Sequence, residues 1–396
     1  MKKQIYSDDY NDNIEIMTLL EEIDKRYQNE NGYIFYGFPT IKEFDRPIIR
    51  PDIFIVAEHL GVVSILVDSI EVDRSNLFKM FLEKMDEVDN YIYTTLLRDK
   101  RLNNNRQLEF SVSTLGYCPN MLKEESSASI FVNRTSLLSK LEEISNSSDG
   151  SARTFIDTII SDLEGSGAII KPKERVLNEQ DIDTKANLLK EIEGRIARFD
   201  DEQRFSALSM LEGPQRIRGL AGSGKTIILC LKAAHLHMMH PNAIILYTFY
   251  TKSLYDYIVQ LINRFYMKMT DGQVPDFNKI QILHAWGGAQ VPGVYYEACK
   301  KNNISPLTLN DARGHGENPF SYICKQFIDD TKYNAIKMYD YVLIDEAQDF
   351  EAPFYQLCRS IVKDDHIVWC YDEVQNIFDV VIQNTKDTFS NVNGKP

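Results

Sequence analysis

GLAGSGKT, residues 219–226, fits G-x-x-x-x-G-K-[ST] at every fixed position. QRIRGL (215–220) runs into it and TIILCLKAAHLHMM (226–239) leads away. The first reads as a β-strand and the second as a helix, so the glycines stand at a strand-to-helix turn. Gly219, Gly222 and Gly224 let the backbone bend tightly, and the N–H groups of that turn, Ser223 included, then converge on an anion. The helix N-terminus contributes its own positive end. Lys225 would bring a cation to the β and γ phosphates, and Thr226 a hydroxyl ligand for Mg²⁺. The stretch predicts a phosphate cradle whose cofactors are ATP and Mg²⁺.

Downstream, helix and buried strand alternate. IILYTF (244–249), IQILHAW (280–286), YVLIDEA (341–347) and IVWCYD (367–372) are short apolar runs. Such runs, separated by helices, predict a parallel sheet covered on both faces. YVLIDEAQDF (341–350) delivers Asp345 at the C-terminal end of its strand, the edge where parallel sheets bind ligands. Asp345 is assigned to Mg²⁺ through water, and Glu346 to orienting or deprotonating an attacking water.

DEAQDF together with GLAGSGKT resembles the superfamily 1 helicases of the UvrD/Rep/RecB kind. Further segments match in order. FDDEQRFSAL (199–208) resembles the stretch in which a glutamine reads adenine, here Gln203. LYTFYTKSL (246–254) resembles the T-F-T-N-K segment that holds the single strand; Thr248, Phe249 and Lys252 match, and Thr251 replaces Asn. ILHAWGG (282–288) resembles T-I-H-S-F, with His284 matching and Trp286 at the aromatic position. YDEVQNIF (371–378) resembles G-D-x-x-Q-S-I-Y, whose glutamine, here Gln375, senses the γ-phosphate; Tyr371 replaces the Gly. The resemblance covers roughly 200–380. It implies a RecA-like P-loop NTPase sheet in the C-terminal half, and single-stranded DNA or RNA as partner. Phe249 and Trp286 would then be stacking platforms worth about 1–3 kcal/mol per base. Taken alone, Trp286 and His284 fit an ordinary core equally well.

The N-terminal part reads helix (13–28), strands (32–37, 52–57, 62–68), long helix (76–98), strand (108–115), then strand and helix (129–145). That order, with RPDIFIVAEHLGVVSILVDS (50–69), resembles the PD-(D/E)xK nuclease core and implies a restriction-endonuclease-like α/β domain. Pro51–Asp52 fits the first element of a metal site. The second does not fit, because the acid-x-Lys positions read Leu66-x-Asp68, or Asp68-x-Ile70. Without that lysine to activate water, the expectation is an inactive nuclease-like fold.

The 396-residue chain carries a net charge of −14, which repels phosphate overall and confines nucleic acid to a local groove. Its six cysteines (118, 230, 299, 324, 358, 370) form no CxxC pair and read as buried thiols. No apolar run reaches membrane-spanning length, and the start has no signal-type apolar core; a cytoplasmic location and no membrane partner are expected. The expected domains are 1–150, nuclease-like; 151–198, a helical linker; and 199–396, the NTPase. QNTKDTFSNVNGKP (383–396) has no arginine. Catalytic arginines from a second lobe would come from a longer chain or from a protein partner. Two functions follow: an ATP-driven helicase or translocase, or a nucleotide-gated sensor, for example in anti-phage defence, that unwinds nothing. A P-loop phosphotransferase would leave Gln203, Gln375 and DEAQDF unexplained.

Overall fold

The computed structural model describes residues 1–42, 47–68, 76–119, 130–166, 200–210, 213–220, 222–250, 254–288, 290–313, 315, 318–332 and 334–372. It is a mixed α/β structure with two principal sheets. The chain divides into two compact units: Met1–Met210 with Lys268–Gln273, and Leu211–Met267 with Val274–Pro396. No helix among the described residues is long and apolar enough to cross a membrane.

In the first unit the chain runs β1 (Lys2–Ile5), α1 (Ile14–Arg26), β2 (Gly32–Tyr36), β3 (Ile53–Ala57), β4 (Gly61–Val67) and α2 (Asn76–Leu97). A small hairpin, β5 (Asn103–Asn104) and β6 (Gln107–Leu108), precedes β7 (Val112–Tyr117), β8 (Ile130–Val132), α3 (Arg134–Ser147), α4 (Ile156–Glu164) and α5 (Asp201–Leu208). The sheet order is β1-β2-β3-β4-β7-β8. β2, β3 and β4 pair antiparallel, and the remaining pairings are parallel. Every residue of β3 is buried, as a strand covered on both faces must be. Ile53, Ile55 and Ala57 join Leu20 and Ile23 of α1 and Leu137 and Leu141 of α3 in one core.

Two differences from the sequence reading have local causes. The strand expected at 108–115 starts at Val112, because Asn105 and Arg106 adopt positive φ (51° and 64°) and turn the chain back first. β1 was not expected; KKQI is short and polar, which suits a sheet edge.

The boundary also differs. The first unit continues past 150 and 199 to Met210. In α4, Ile156, Ile159, Ile160 and Leu163 are buried. Buried Arg204 of α5 donates from Nε to Glu164 Oε2 at 2.5 Å, and Lys2 Nζ donates to Asp201 at 2.7 Å. These contacts fasten α5 to the first unit. Residues 167–199, most of the expected linker, lie outside the described residues.

The second unit contains β9 (Gln215–Arg218), α6 (Lys225–Met239), β10 (Ile245–Phe249), α7 (Tyr255–Met269), β11 (Ile280–His284) and α8 (Val294–Lys301). Then follow α9 (Leu309–Ala312), α10 (Pro319–Thr331), β12 (Tyr341–Ile344), α11 (Ala352–Ile361) and β13 (Ile367–Tyr371). Its five strands are all parallel, in the order β11-β10-β12-β13-β9. Strand parity divides them. Leu246, Val342, Ile344, Ile367 and Trp369 pack in one core with α8, α10 and α11. Tyr247 and Cys370, of the other parity, meet α6: Cys230 Sγ lies 3.7 Å from Tyr247 Oη, and Cys370 Sγ 4.0 Å from the Lys225 carbonyl. α6 is buried almost all round, as a central helix should be.

Candidate functional site

That parity assembles the site. Asp345 is the residue after β12 and Asp372 the residue after β13, each on the strand face that meets α6. The cradle lies at the N-terminus of α6, whose first-turn amides lack intrahelical acceptors. Three segments far apart in sequence therefore converge at one sheet edge.

The loop itself is built on glycine. A Cβ at Gly219 would lie 2.2 Å from Ser223 Oγ, so a side chain there would displace the Ser223 hydroxyl. Gly222 and Gly224 hold φ of 76° and 78°, the left-handed region that costs glycine little. Lys225 is 6% exposed, and its Nζ donates to the carbonyls of Gly219 (3.1 Å) and Leu220 (3.0 Å). The same Nζ lies 3.6 Å from Oδ2 of fully buried Asp372.

Asp345 is also fully buried. Its Oδ1 accepts from the Glu346 amide at 2.9 Å and its Oδ2 from the Tyr247 hydroxyl at 3.0 Å. Thr226 also hydrogen-bonds its side chain. Burial pushes Asp345 up to about 6, against those hydrogen bonds, and the Glu346 charge adds to the rise. Glu346 adopts φ 46°, ψ 47°, a left-handed conformation uncommon for non-glycine residues. Its Oε2 accepts from Gln348 Nε2 at 2.6 Å, while Gln348 Oε1 accepts from the Asp372 amide at 3.0 Å. Buried Gln348 thus ties the Glu346 carboxylate to the end of β13. Asp349 nearby is pushed up to about 6, chiefly by burial and then by Glu346.

The donor set fits a nucleotide with a hard cation. Lysine and backbone amides face the phosphate side, and a carboxylate and a hydroxyl offer oxygen to the metal. Among the described residues no group of three or more His, Cys, Asp or Glu could hold a metal by itself. Mg²⁺ at phosphate sites ordinarily needs only one or two carboxylates beside the phosphates and water.

Of the residues singled out from sequence, Gly219, Gly222, Ser223, Gly224, Lys225, Thr226, Asp345 and Glu346 come together. Gln203 belongs to the first unit. It closes a capping box at the start of α5, accepting from the Asp200 amide at 3.0 Å and donating its own amide to Asp200 at 2.8 Å. Thr248 is 0% and Phe249 1% exposed. Neither side chain presents exposed surface to a base in this structure. His284 and Trp286 instead line a cleft of about 490 Å³ with Gly287, Gly288 and Tyr296. Trp286 keeps part of its surface there while packing on Phe320 at 5.3 Å. Lys252 and Gln375 lie outside the described residues.

In the first unit, Asp52 is engaged structurally. Its Oδ2 accepts from the Val67 amide at 2.7 Å, closing the β3–β4 hairpin. Burial pushes its carboxyl up, opposed by that amide and by the charges of Lys84 and Arg50. Leu66, where a second acid would stand, is fully buried. Lys84 reaches this neighbourhood from α2, a placement the acid-x-Lys spacing could not disclose.

Tyr247, Gln348 and Asp372 were also missed as site residues. The only available signal was their place inside the matching segments. No model of a known protein family matches the chain, and no curated protein matches it at a significant level.

Proposed function

We propose that the second unit binds ATP with Mg²⁺ and hydrolyses it, as the first RecA-like lobe of a superfamily 1 helicase-type motor acting on single-stranded DNA or RNA. One observation carries the reading: at the head of α6, Thr226 hydrogen-bonds Asp345 at the end of β12, next to Glu346, while Lys225 lies against Asp372 at the end of β13. Bound Mg²⁺ would supply charge neutralisation at the phosphates. Lys225 would exchange its two loop carbonyls for phosphate oxygens. Asp345 and Thr226 would hold the metal side, and Glu346 would take the proton of the attacking water. The β13 strand between β9 and β12 is what sets Asp372 against Lys225. For the first unit, the order α1-β2-β3-β4-α2-β7 supports a nuclease-like fold, and the occupied Asp52 and apolar Leu66 support its being inactive.

The nucleotide-gated sensor is the second reading, supported by the burial of Thr248 and Phe249, two of the expected strand contacts. ATP turnover that rises with single-stranded DNA selects the motor. ATP binding without such stimulation selects the sensor. Lys225→Ala should abolish tight Mg²⁺–ATP binding by calorimetry, and unchanged affinity would remove the cradle assignment.

A further inference from the structure

Asp345 receives three donors: the Glu346 amide of its own loop, the Thr226 side chain and the Tyr247 hydroxyl. The Tyr247 hydroxyl reaches it from β10, one strand away, and is fully buried. The hydroxyl also lies 3.7 Å from Cys230 Sγ on α6, which donates to it. A phenol carries its proton at neutral pH and can donate it to the carboxylate. A phenylalanine would fill the same space without a polar atom to bury, and a buried hydroxyl is costly unless bonded. The partner that offsets this cost is the carboxylate opposite Thr226.

We infer that Tyr247 is a positioning residue for Asp345: its hydroxyl fixes Oδ2 while the Glu346 amide fixes Oδ1, setting the carboxylate plane that meets the metal ion or its water. The inference rests on the proposed reading of Asp345 as the Mg²⁺ carboxylate and adds a residue that reading does not use. A carboxylate otherwise rotates freely about its last bond. Held at both oxygens, it presents fixed lone pairs and reorganises little when the cation arrives. Outer hydrogen bonds of this kind are worth about 10–100-fold in metal affinity.

The test is Tyr247→Phe in the full chain, with Cys230→Ala as a packing control that keeps the phenol–carboxylate bond. Binding of a fluorescent ATP analogue is titrated with Mg²⁺, repeated in EDTA, and set beside urea unfolding. Tyr247→Phe should raise the half-saturating Mg²⁺ about 10-fold or more and leave metal-free nucleotide affinity unchanged. Cys230→Ala should leave the Mg²⁺ requirement at the wild-type value even where stability falls. A wild-type Mg²⁺ dependence in Tyr247→Phe, or the same shift in both variants, overturns the inference. If the wild-type protein binds the analogue without any Mg²⁺ dependence, the metal reading of Asp345 itself fails and the inference falls with it.

Discussion

Replacing Lys225 by alanine removes a cation from beside a buried carboxylate, so it should weaken the fold as well as the nucleotide site. The Lys225–Asp372 separation is 3.6 Å, with side chains 6% and 0% exposed. At an effective dielectric of about 20 this corresponds to a gross attraction of about 4–5 kcal/mol. Removing one partner of such a buried pair typically costs about 3–5 kcal/mol. The low end applies here, because Leu220 is 68% exposed and water can replace the lysine at the loop carbonyls. We expect Lys225→Ala to destabilise the second unit by about 3 kcal/mol, and Lys225→Ala/Asp372→Asn to recover about 2 kcal/mol, since asparagine keeps its amide on Gln348 without a charge. The chain has two tryptophans, Trp286 and Trp369, and both lie in the second unit, so fluorescence during urea unfolding follows that unit. A loss below about 1 kcal/mol, or a double variant as unstable as the sum of the singles, would refute the buried-pair argument.

Glu346→Gln keeps the shape and Asp345 but loses the proton acceptor; bound ATP should persist, and normal turnover in a single-turnover assay would exclude Glu346 as the base. Asp345 is raised to about 6 by burial, so between that value and the unfolded carboxylate range the native state binds the extra proton. Its contribution to metal-free stability should therefore increase by about 1 kcal/mol from pH 7 to pH 5, while Mg²⁺-dependent nucleotide binding weakens. The measurement is wild type minus Asp345→Asn, because His237 and His240, whose affinity for protons is lowered chiefly by desolvation, act in the opposite direction. The full chain should show no Mg²⁺- or Mn²⁺-dependent DNA cleavage above an Asp52→Ala control. Cleavage lost in that control would make Lys84 the missing lysine. Trp286→Ala should weaken single-stranded DNA binding by about 1–3 kcal/mol in fluorescence anisotropy. Phe249→Ala should instead cost about 3–5 kcal/mol of stability, and a pure binding defect there would contradict its burial.

The cradle and the acid pair were legible because both are contiguous: glycine spacing and an apolar strand ending in Asp345–Glu346 encode their own geometry. What reaches them across the sheet was not. Tyr247, Gln348 and Asp372 meet the site through strand order, and strand order follows from which helices cover which face, not from any spacing. Phe249 and Trp286 looked alike as aromatics in matching segments. Phe249 points inward from a central strand, while Trp286 lies beyond the end of β11 and keeps surface. Gln203 was ambiguous locally. Asp200-x-x-Gln203 is also a capping-box pattern, and the Gln203 side chain closes that box. The polar stretch at 142–153 resembled a boundary because α3 ends there. The apolar face of α4 shows that the first core is not yet closed.

The Arg204–Glu164 contact has a consequence for dissecting the chain. A cut anywhere between 165 and 200 puts the guanidinium on one fragment and its carboxylate on the other. A C-terminal fragment starting at 199 would carry α5 without the acid that neutralises Arg204, and the shortened N-terminal fragment would keep buried Glu164 without its cation. Each product inherits one half of a buried ion pair, and aggregation of either would then reflect where the scissors fell and not an inability of the units to fold. Cutting after Met210 keeps the pair whole.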